Sequence, residues 1–193
     1  MAEHVCPVWV GYLLANPLRK LIQDPRKLLG PHVTSGMTVL DMGCAMGFFS
    51  LPLARLVGPE GKVVCVDLQE KMIRSLARRA HKAGLSDRIE GRSCRQDCLG
   101  LDDFDGQIDF ALAFAVVHEV PDPSRLFREI SATLKPNGRL LVAEPAWHVS
   151  ASDFDASVSL ALENGLEVVD RPRIAHSRAV LLEKRPSQRD PKH

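Results

Sequence analysis

One stretch of the sequence decides the fold, and it reads Val39-Leu40-Asp41-Met42-Gly43-Cys44-Ala45-Met46-Gly47-Phe48-Phe49-Ser50. The apolar run Thr38–Met42 predicts a short buried strand, residues 43–47 form a loop of small side chains, and Phe48 opens a segment with helical periodicity. This order places backbone N–H groups at the start of a helix. Gly43 and Gly47 have no Cβ, so the loop backbone can approach a bound molecule closely. The stretch therefore predicts a ligand-binding loop that follows a strand.

The spacing of the glycines separates two kinds of nucleotide loop. A dinucleotide-binding loop has the pattern G-x-G-x-x-G, and counting from Gly43 its third glycine would fall at Phe48. The pattern present from Asp41 to Gly47 is D-x-G-x-A-x-G. It resembles the cofactor loop of class I S-adenosylmethionine (SAM)-dependent methyltransferases, in which an acidic residue precedes G-x-G-x-G. Ala45 stands in the place of the middle glycine, where alanine is unstrained only if its φ is negative.

Length, charge and cysteine content limit the class of protein. The 193 residues suit one domain, residues 1–193, with its own core. The net charge of +1 gives no electrostatic argument for a nucleic-acid partner. No apolar run is long enough to span a membrane, and the N-terminus lacks the pattern of a signal peptide. The five cysteines are odd in number, and two lie in the predicted core, which favours reduced thiols and a cytoplasmic location.

The rest of the chain alternates between strands and helices. Further strands are predicted at Lys62–Asp67, within residues 88–98, after the turn that opens residues 105–115, and at 139–145, Leu166–Asp170 and Ser177–Lys184. Further helices are predicted at Glu70–Lys82, 123–134 and 154–164. The third strand is polar, which fits the edge of a sheet. The link between the last two strands is too short for a crossover helix, so that pair should be antiparallel. This alternation predicts an α/β sheet with helices on both faces.

The resemblance covers roughly residues 34–184 and includes the helix, K-P-x-G turn, strand and Glu144-Pro145 that end the fifth unit. It implies a Rossmann-like doubly wound sheet of seven strands, in the order 3-2-1-4-5-7-6 with strand 7 antiparallel. The implied subgroup is the small-molecule, type 11-like one. Its cofactor is SAM, and the product is S-adenosylhomocysteine. In such proteins a segment like residues 1–31 lies over the pocket, and we expect residues 185–193 to be a flexible tail.

The predicted cofactor site combines this resemblance with strand-end positions. Asp67 ends the second strand 20 residues after Gly47, where a carboxylate can accept hydrogen bonds from both ribose hydroxyls. Asp67 also suits the N-cap of the next helix. The resemblance places the adenine beside Asp97 and Cys98, and Met72 either at the adenosine edge or in the core. The full predicted set is Asp41, Gly43, Cys44, Ala45, Met46, Gly47, Phe48, Phe49, Asp67, Leu68, Met72, Asp97, Cys98 and Phe114.

Cys94 and Cys98 also form a C-x3-C pair. A zinc site needs about four ligands, and no second pair lies at a suitable spacing. We therefore expect no metal.

The predicted acceptor side lies beyond the fourth and fifth strands. His118 follows the fourth strand, whose carboxyl end borders the ligand crevice in an open α/β sheet. It is either a general base or a histidine with a structural hydrogen bond. Glu144 and Trp147 end the fifth strand and are candidate substrate contacts. Trp9 and Tyr12 either wall the same pocket or pack on the core; these four and His118 form the candidate substrate set.

The predicted reaction is in-line methyl transfer to an unidentified acceptor. The protein mainly aligns the two reacting atoms and excludes water. A general base is required only if the acceptor carries a proton at attack. The chain has little beyond the core fold, which favours a small-molecule acceptor over a nucleic acid, and we expect no membrane partner. A non-catalytic SAM-binding module is the alternative, and an NAD-dependent dehydrogenase is disfavoured by the missing fingerprint. No feature of the sequence predicts an oligomeric state.

Overall fold

The computed structural model describes residues 24–186, and within them seven strands form one sheet in the order β3-β2-β1-β4-β5-β7-β6. The strands are β1 Thr38–Met42, β2 Lys62–Asp67, β3 Ile89–Ser93, β4 Ile108–Phe114, β5 Leu134–Pro145, β6 Leu166–Asp170 and β7 Ser177–Lys184. Strands β1 to β5 are parallel, and β7 is antiparallel to both of its neighbours. The predicted strand order, the antiparallel last strand and the edge position of β3 are confirmed.

Five helices accompany these strands in the described range. They are α1 Pro25–Leu29, α2 Ser50–Leu56, α3 Glu70–Lys82, α4 Pro123–Thr133 and α5 Ala151–Glu163. Single 3-10 turns lie at Asp102–Phe104 and Val117–Glu119. No helix in residues 24–186 combines the length and the apolar character needed to cross a bilayer.

The alternation of side chains along the strands builds a core on each face of the sheet. Successive strand residues point to opposite faces, so Val39 joins one buried cluster and Leu40 the other. The cluster of Val39 is completed by α1, α2 and α3, through Leu29, Leu53 and Leu76. The cluster of Leu40 is completed by α4 and α5, through residues such as Phe127 and Phe154. Helices therefore cover both faces, as predicted.

Two helix starts differ from the sequence predictions. Helix α2 begins at Ser50 rather than Phe48, because residues 44–49 form turns that carry the loop across the end of β1. Helix α5 begins at Ala151 rather than residue 154. Its N-cap is Ser150, whose Oγ accepts the backbone N–H of Asp153 at 3.1 Å. Polar caps and tight turns thus move both boundaries by two or three residues.

Two strand bounds also differ. Strand β3 ends at Ser93, because residues 95–98 fold back in a tight turn. Strand β5 begins at Leu134 and not at residue 139, since Leu134 already pairs with Ile108. Residues 135–138 then bulge out before pairing resumes, with Asn137 at a φ of +62°. The K-P-x-G segment is therefore a bulge inside the strand.

The parallel strands bring five loops to one edge of the sheet. The loops follow β1, β2, β3, β4 and β5, at residues 43–47, 68–69, 94–98, 115–119 and 146–149. In open α/β sheets, ligands bind at the carboxyl ends of the strands, where the strand order reverses. Here that reversal lies between β1 and β4. The site is therefore sought around these loops.

Candidate functional site

The loop after β1 is shaped by two glycines. Gly43 has a φ of +71° and Gly47 a φ of +85°, in the left-handed region that glycine adopts freely. A Cβ added at Gly43 would lie 2.6 Å from Val116 Cγ2, so the backbone packs directly on the segment after β4. The N–H groups of Gly43 and Cys44 donate to the carbonyl of Val66, at 2.9 and 3.1 Å. The loop is thus hydrogen-bonded to β2 and packs against the segment that follows β4.

Ala45 occupies the middle position of this loop with a φ of +46°. This is the positive value at which alanine is strained, because its Cβ approaches the following carbonyl. The backbone is held there by the Ala45 N–H, which donates to Asp67 Oδ2 at 2.9 Å. The loop thus keeps the backbone shape of a glycine position although the side chain is alanine. Strain of this kind is found where surrounding contacts over-determine the backbone.

Replacing Ala45 by glycine should relieve that strain. We expect Ala45→Gly to raise the free energy of unfolding by about 0.5–1 kcal/mol, since the relief exceeds the added chain entropy. Urea denaturation measures the change. The matched control is Ala77→Gly on the exposed side of α3, which should lower stability by about 1 kcal/mol. A loss in both variants would contradict the strain at Ala45.

Asp67 joins this loop to the start of α3. Its Oδ2 accepts the Ala45 N–H, and its Oδ1 accepts the N–H of Gln69 at 2.9 Å. Burial raises the pKa of Asp67, and these two hydrogen bonds oppose the rise. Asp67 lies at the strand end and accepts the N–H of Gln69, which is the N-cap of α3, so the prediction of Asp67 itself as the N-cap is wrong. Each carboxylate oxygen has a second lone pair, which fits acceptance of a ribose hydroxyl.

Asp41 lies beneath the loop and not in the crevice. Its side chain is buried, and Ser50 Oγ donates to its Oδ2 at 2.5 Å. Burial raises the pKa of Asp41 to about 7, and the nearby charge of Asp67 adds to the rise. The Asp41–Ser50 bond ties the end of β1 to the first residue of α2. Asp41 thus holds the loop from below.

The buried carboxyl of Asp41 gives stability a defined pH dependence. The folded protein holds its proton up to about pH 7, whereas the unfolded chain releases it near the ordinary value of 3.8. Stability from this group is therefore present at low pH and is lost as pH rises towards 7. We expect wild-type stability, relative to Asp41→Asn, to fall between pH 4 and pH 7 and to level off above. Urea denaturation of both proteins at several pH values measures this, and parallel curves would contradict it.

Aromatic rings line the region between the loop and β4. Phe48 and Phe49 meet edge to face with centroids 4.9 Å apart, and Phe49 and Phe114 lie 4.7 Å apart. All three are at most 8% exposed. Phe114 is the last residue of β4. The three rings therefore form one contiguous cluster at the end of β4.

The predicted adenine side is more open. Asp97 is exposed and pairs with Arg95 Nε at 3.0 Å, while Cys98 is half-buried. Met72 is buried and Leu68 is 37% exposed, so Leu68 is the more accessible of the two to a ligand. Cys94 and Cys98 are free thiols. Among residues 24–186, no group of three or more His, Cys, Asp or Glu side chains is arranged to hold a metal ion.

The acceptor side is built on Glu144 at the end of β5. This carboxylate is 2% exposed, and its Oε1 accepts the N–H groups of Val116 and Val117 at 3.1 and 2.8 Å. Its Oε2 contacts Nδ1 of His118. Because a carboxylate accepts only, Nδ1 carries the proton and Nε2 is the ring nitrogen left to accept one. Glu144 therefore lies behind His118, and both of its carboxylate oxygens are engaged by groups of the protein itself.

Electrostatics favour the charged form of this imidazole. The hydrogen bond to Glu144 raises the pKa of His118, while burial of the ring opposes the rise. Glu119 Oε1 lies 4.0 Å from Nε2, on the side away from Glu144. Burial raises the pKa of Glu119. Glu119 is a site residue that the sequence predictions missed, and its only signal was adjacency to His118.

A row of rings runs from His118 towards solvent. The rings of His118 and His148 meet edge to face at 4.8 Å, and His148 and Trp147 lie 5.4 Å apart. Trp147 is 81% exposed, which is unusual for so large an apolar side chain. Arg178 Nε holds this loop by donating to the carbonyl of Val149 at 3.0 Å. The structure thus brings together His118, Glu144 and Trp147, whereas Trp9 and Tyr12 lie outside the described residues.

The comparisons with known proteins agree with this fold. A family model described as a methyltransferase domain matches residues 33–176, so the chain belongs to that family. A solved SAM-dependent methyltransferase from Aquifex aeolicus has a TM-score of 0.83 at 24% identity, covering 93% of this chain and 99% of that one. The prediction of a class I SAM-dependent methyltransferase is confirmed. The carboxylate of Asp67, whose oxygens each keep a lone pair, and the close backbone approach at Gly43 and Gly47 fit SAM as its cofactor.

Curated relatives share only part of their length with this chain. The ubiquinone biosynthesis O-methyltransferase of Caulobacter vibrioides is 36% identical over 108 residues, which are 56% of this chain and 40% of that protein. The ubiquinone/menaquinone biosynthesis C-methyltransferase of Hahella chejuensis is 34% identical over 114 residues, 58% of this chain and 44% of that protein. The chain thus spans less than half of either relative.

Proposed function

We propose that this protein methylates a hydroxyl group on a small, flat, aromatic acceptor, with His118 as the general base. The observation that carries the proposal is the Glu144–His118 pair, which orients the imidazole and leaves Nε2 to take a proton. When bound, SAM supplies a methyl group already activated by its positive sulfur. The chain's own contribution is to align the acceptor, keep out water and accept the hydroxyl proton.

The proton has a defined path in this site. The acceptor O–H proton passes to His118 Nε2, and the resulting imidazolium is stabilised by Glu144. Glu144 is itself fixed by two backbone N–H groups, so the base keeps one orientation. Phe49 and Phe114 provide a water-poor wall at the end of β4. A dry surrounding favours a reaction in which opposite charges are neutralised.

The acceptor class is argued from the shape of the site. The loops after β4 and β5 are short, which favours a small molecule. The exposed face of Trp147 and the ring of His148 offer a platform for a flat ring whose hydroxyl reaches His118. The relatives named as ubiquinone biosynthesis O- and C-methyltransferases support an aromatic acceptor. The four described cysteines are free thiols, which supports a cytoplasmic location.

The test has a binding step and a turnover step. Calorimetric titration with SAM, S-adenosylhomocysteine and NAD should show binding of the first two alone. Release of S-adenosylhomocysteine is then measured with catechol, with its dimethyl ether and with an aliphatic amine of similar size. We expect product only from catechol, since the ether has no proton or free hydroxyl. Binding without turnover on a broad panel of phenols would indicate a non-catalytic SAM-binding module, and product from the amine alone would overturn the acceptor class.

A further inference from the structure

The turn after β3, residues 95–98, has few contacts among its own residues that would fix its position. The backbones of Arg95 and Cys98 exchange hydrogen bonds, at 3.0 and 3.4 Å, around the two-residue tip Gln96-Asp97. The side-chain contact within the turn is the ion pair of Arg95 with Asp97, and both side chains are more than 60% exposed. Exposed ion pairs stabilise a conformation only weakly, because solvent screens their charges. The position of this turn must therefore be set from elsewhere.

Helix α4 holds the turn at its tip and just after its last residue. Arg125 Nη2 donates to the carbonyl of Gln96 at 2.6 Å, and Glu129 Oε2 accepts the N–H of Leu99 at 2.7 Å. The two side chains stand one helical turn apart, and Arg125 Nε lies 3.6 Å from Glu129 Oε1. Each side chain is only about a quarter exposed. Both hydrogen bonds involve a charged side chain, which makes them stronger than hydrogen bonds between neutral groups.

The helix itself is firmly placed. Its N-cap Asp122 accepts the N–H of Arg125 at 3.0 Å, and Pro123 occupies the first helical position. Phe127 and Ile130 lie on the face of α4 that is turned away from solvent, and both are buried in the core. Because α4 is fixed in this way, the hydrogen bonds from its side chains can fix the position of the turn. The Cys94 N–H ties the start of this segment to β2 by donating to the carbonyl of Asp67 at 3.0 Å, and α4 holds the rest of the turn.

We propose that Arg125 and Glu129 are positioning residues for the purine end of the cofactor, acting through the turn that carries Asp97 and Cys98. The proposal rests on the adenine lying beside this turn, which the resemblance to class I methyltransferases implies, and not on any acceptor chemistry. Discrimination between purines depends on hydrogen bonds at the ring edge, which fail when donors or acceptors shift by a fraction of their length. Loss of the hydrogen bonds from Arg125 and Glu129 should therefore weaken recognition of the adenine 6-amino group more than it lowers the stability of the fold.

The test compares two ligands that differ at the purine edge. Dissociation constants for S-adenosylhomocysteine and S-inosylhomocysteine are measured by calorimetry without acceptor, together with ligand-free melting temperatures. Wild type should prefer the adenine ligand. Arg125→Ala and Glu129→Ala should each weaken binding of S-adenosylhomocysteine about tenfold, as expected for loss of one charge-assisted hydrogen bond. Each should also reduce the preference for S-adenosylhomocysteine over S-inosylhomocysteine. Glu129→Gln should retain most of the affinity, because its amide oxygen accepts the Leu99 N–H.

Arg128→Ala is the matched control, since Arg128 is exposed on the same helix and should change neither ligand. Equal losses for both ligands, or a lower melting temperature with the preference unchanged, would reduce the pair to a structural role and overturn the proposal. A wild type that binds both ligands equally would overturn it as well. These outcomes leave methyl transfer untouched, whereas failure of wild type to bind S-adenosylhomocysteine at all would overturn the proposed function too.

Discussion

Replacing His118 by glutamine is expected to lower kcat by about 10²–10⁴-fold, the usual contribution of a general base. Glutamine keeps a hydrogen-bond donor for Glu144 but offers no ring nitrogen to take the acceptor's proton. The dissociation constant of SAM should change little, because the described contacts of His118 lie on the acceptor side. Steady-state turnover and calorimetry measure the two effects separately. Retention of kcat within threefold would remove His118 from the chemistry.

The pH profile distinguishes a base from a structural histidine. A base must be neutral, so the rate should rise with pH through the pKa of His118, which Glu144 holds above the ordinary 6.5. Glu144→Gln removes the negative charge, and the rising limb should then move to lower pH while kcat falls. His81→Gln, at an exposed position on α3, is the control and should leave the profile unchanged. A limb that stays in place in Glu144→Gln would contradict the assigned pair.

Much of this architecture follows from periodicity alone. Apolar runs of strand length alternate with helical patterns, and the short link after Asp170 requires an antiparallel final pair. Those features predicted the antiparallel final pair and both covered faces correctly, whereas the strand order was implied by the resemblance to class I methyltransferases. The glycine spacing from Gly43 to Gly47 likewise predicted a loop after β1. Such features are local, so a single sequence carries them.

The role of Glu144 shows why the rest of the site could not be predicted. Its place depends on the register of β4 and β5, in which Phe114 pairs with Ala143. That register puts Glu144 level with the segment just beyond β4, so the carboxylate turns inwards to two N–H groups and His118. A sequence pattern does not encode such a register between strands far apart in the chain. It could only place Glu144 near the crevice.

The contact of Gly43 with Val116 is another such long-range feature, and it supports the second large prediction. We expect Gly43→Val to abolish detectable SAM binding while the chain still folds. Gly43 has a φ of +71°, and an added Cβ would lie 2.6 Å from Val116 Cγ2, closer than real contacts allow. Val116 has little room to retreat, because its N–H is held by the buried Glu144. Calorimetry with SAM and circular dichroism measure binding and folding.

Two variants separate steric pressure from backbone strain at this contact. Gly84→Ala carries the same kind of strain, at a φ of +64°, but its Cβ would meet nothing within 4 Å. It should cost about 1–2 kcal/mol of stability and leave SAM binding intact. Gly43→Ala should weaken binding strongly, and adding Val116→Ala should restore part of it by removing the atoms that the new Cβ meets. Normal affinity in Gly43→Val would refute the role of this loop. Failure of Val116→Ala to restore binding would place the effect in the backbone of Gly43, because removal of the steric contact would then have changed nothing.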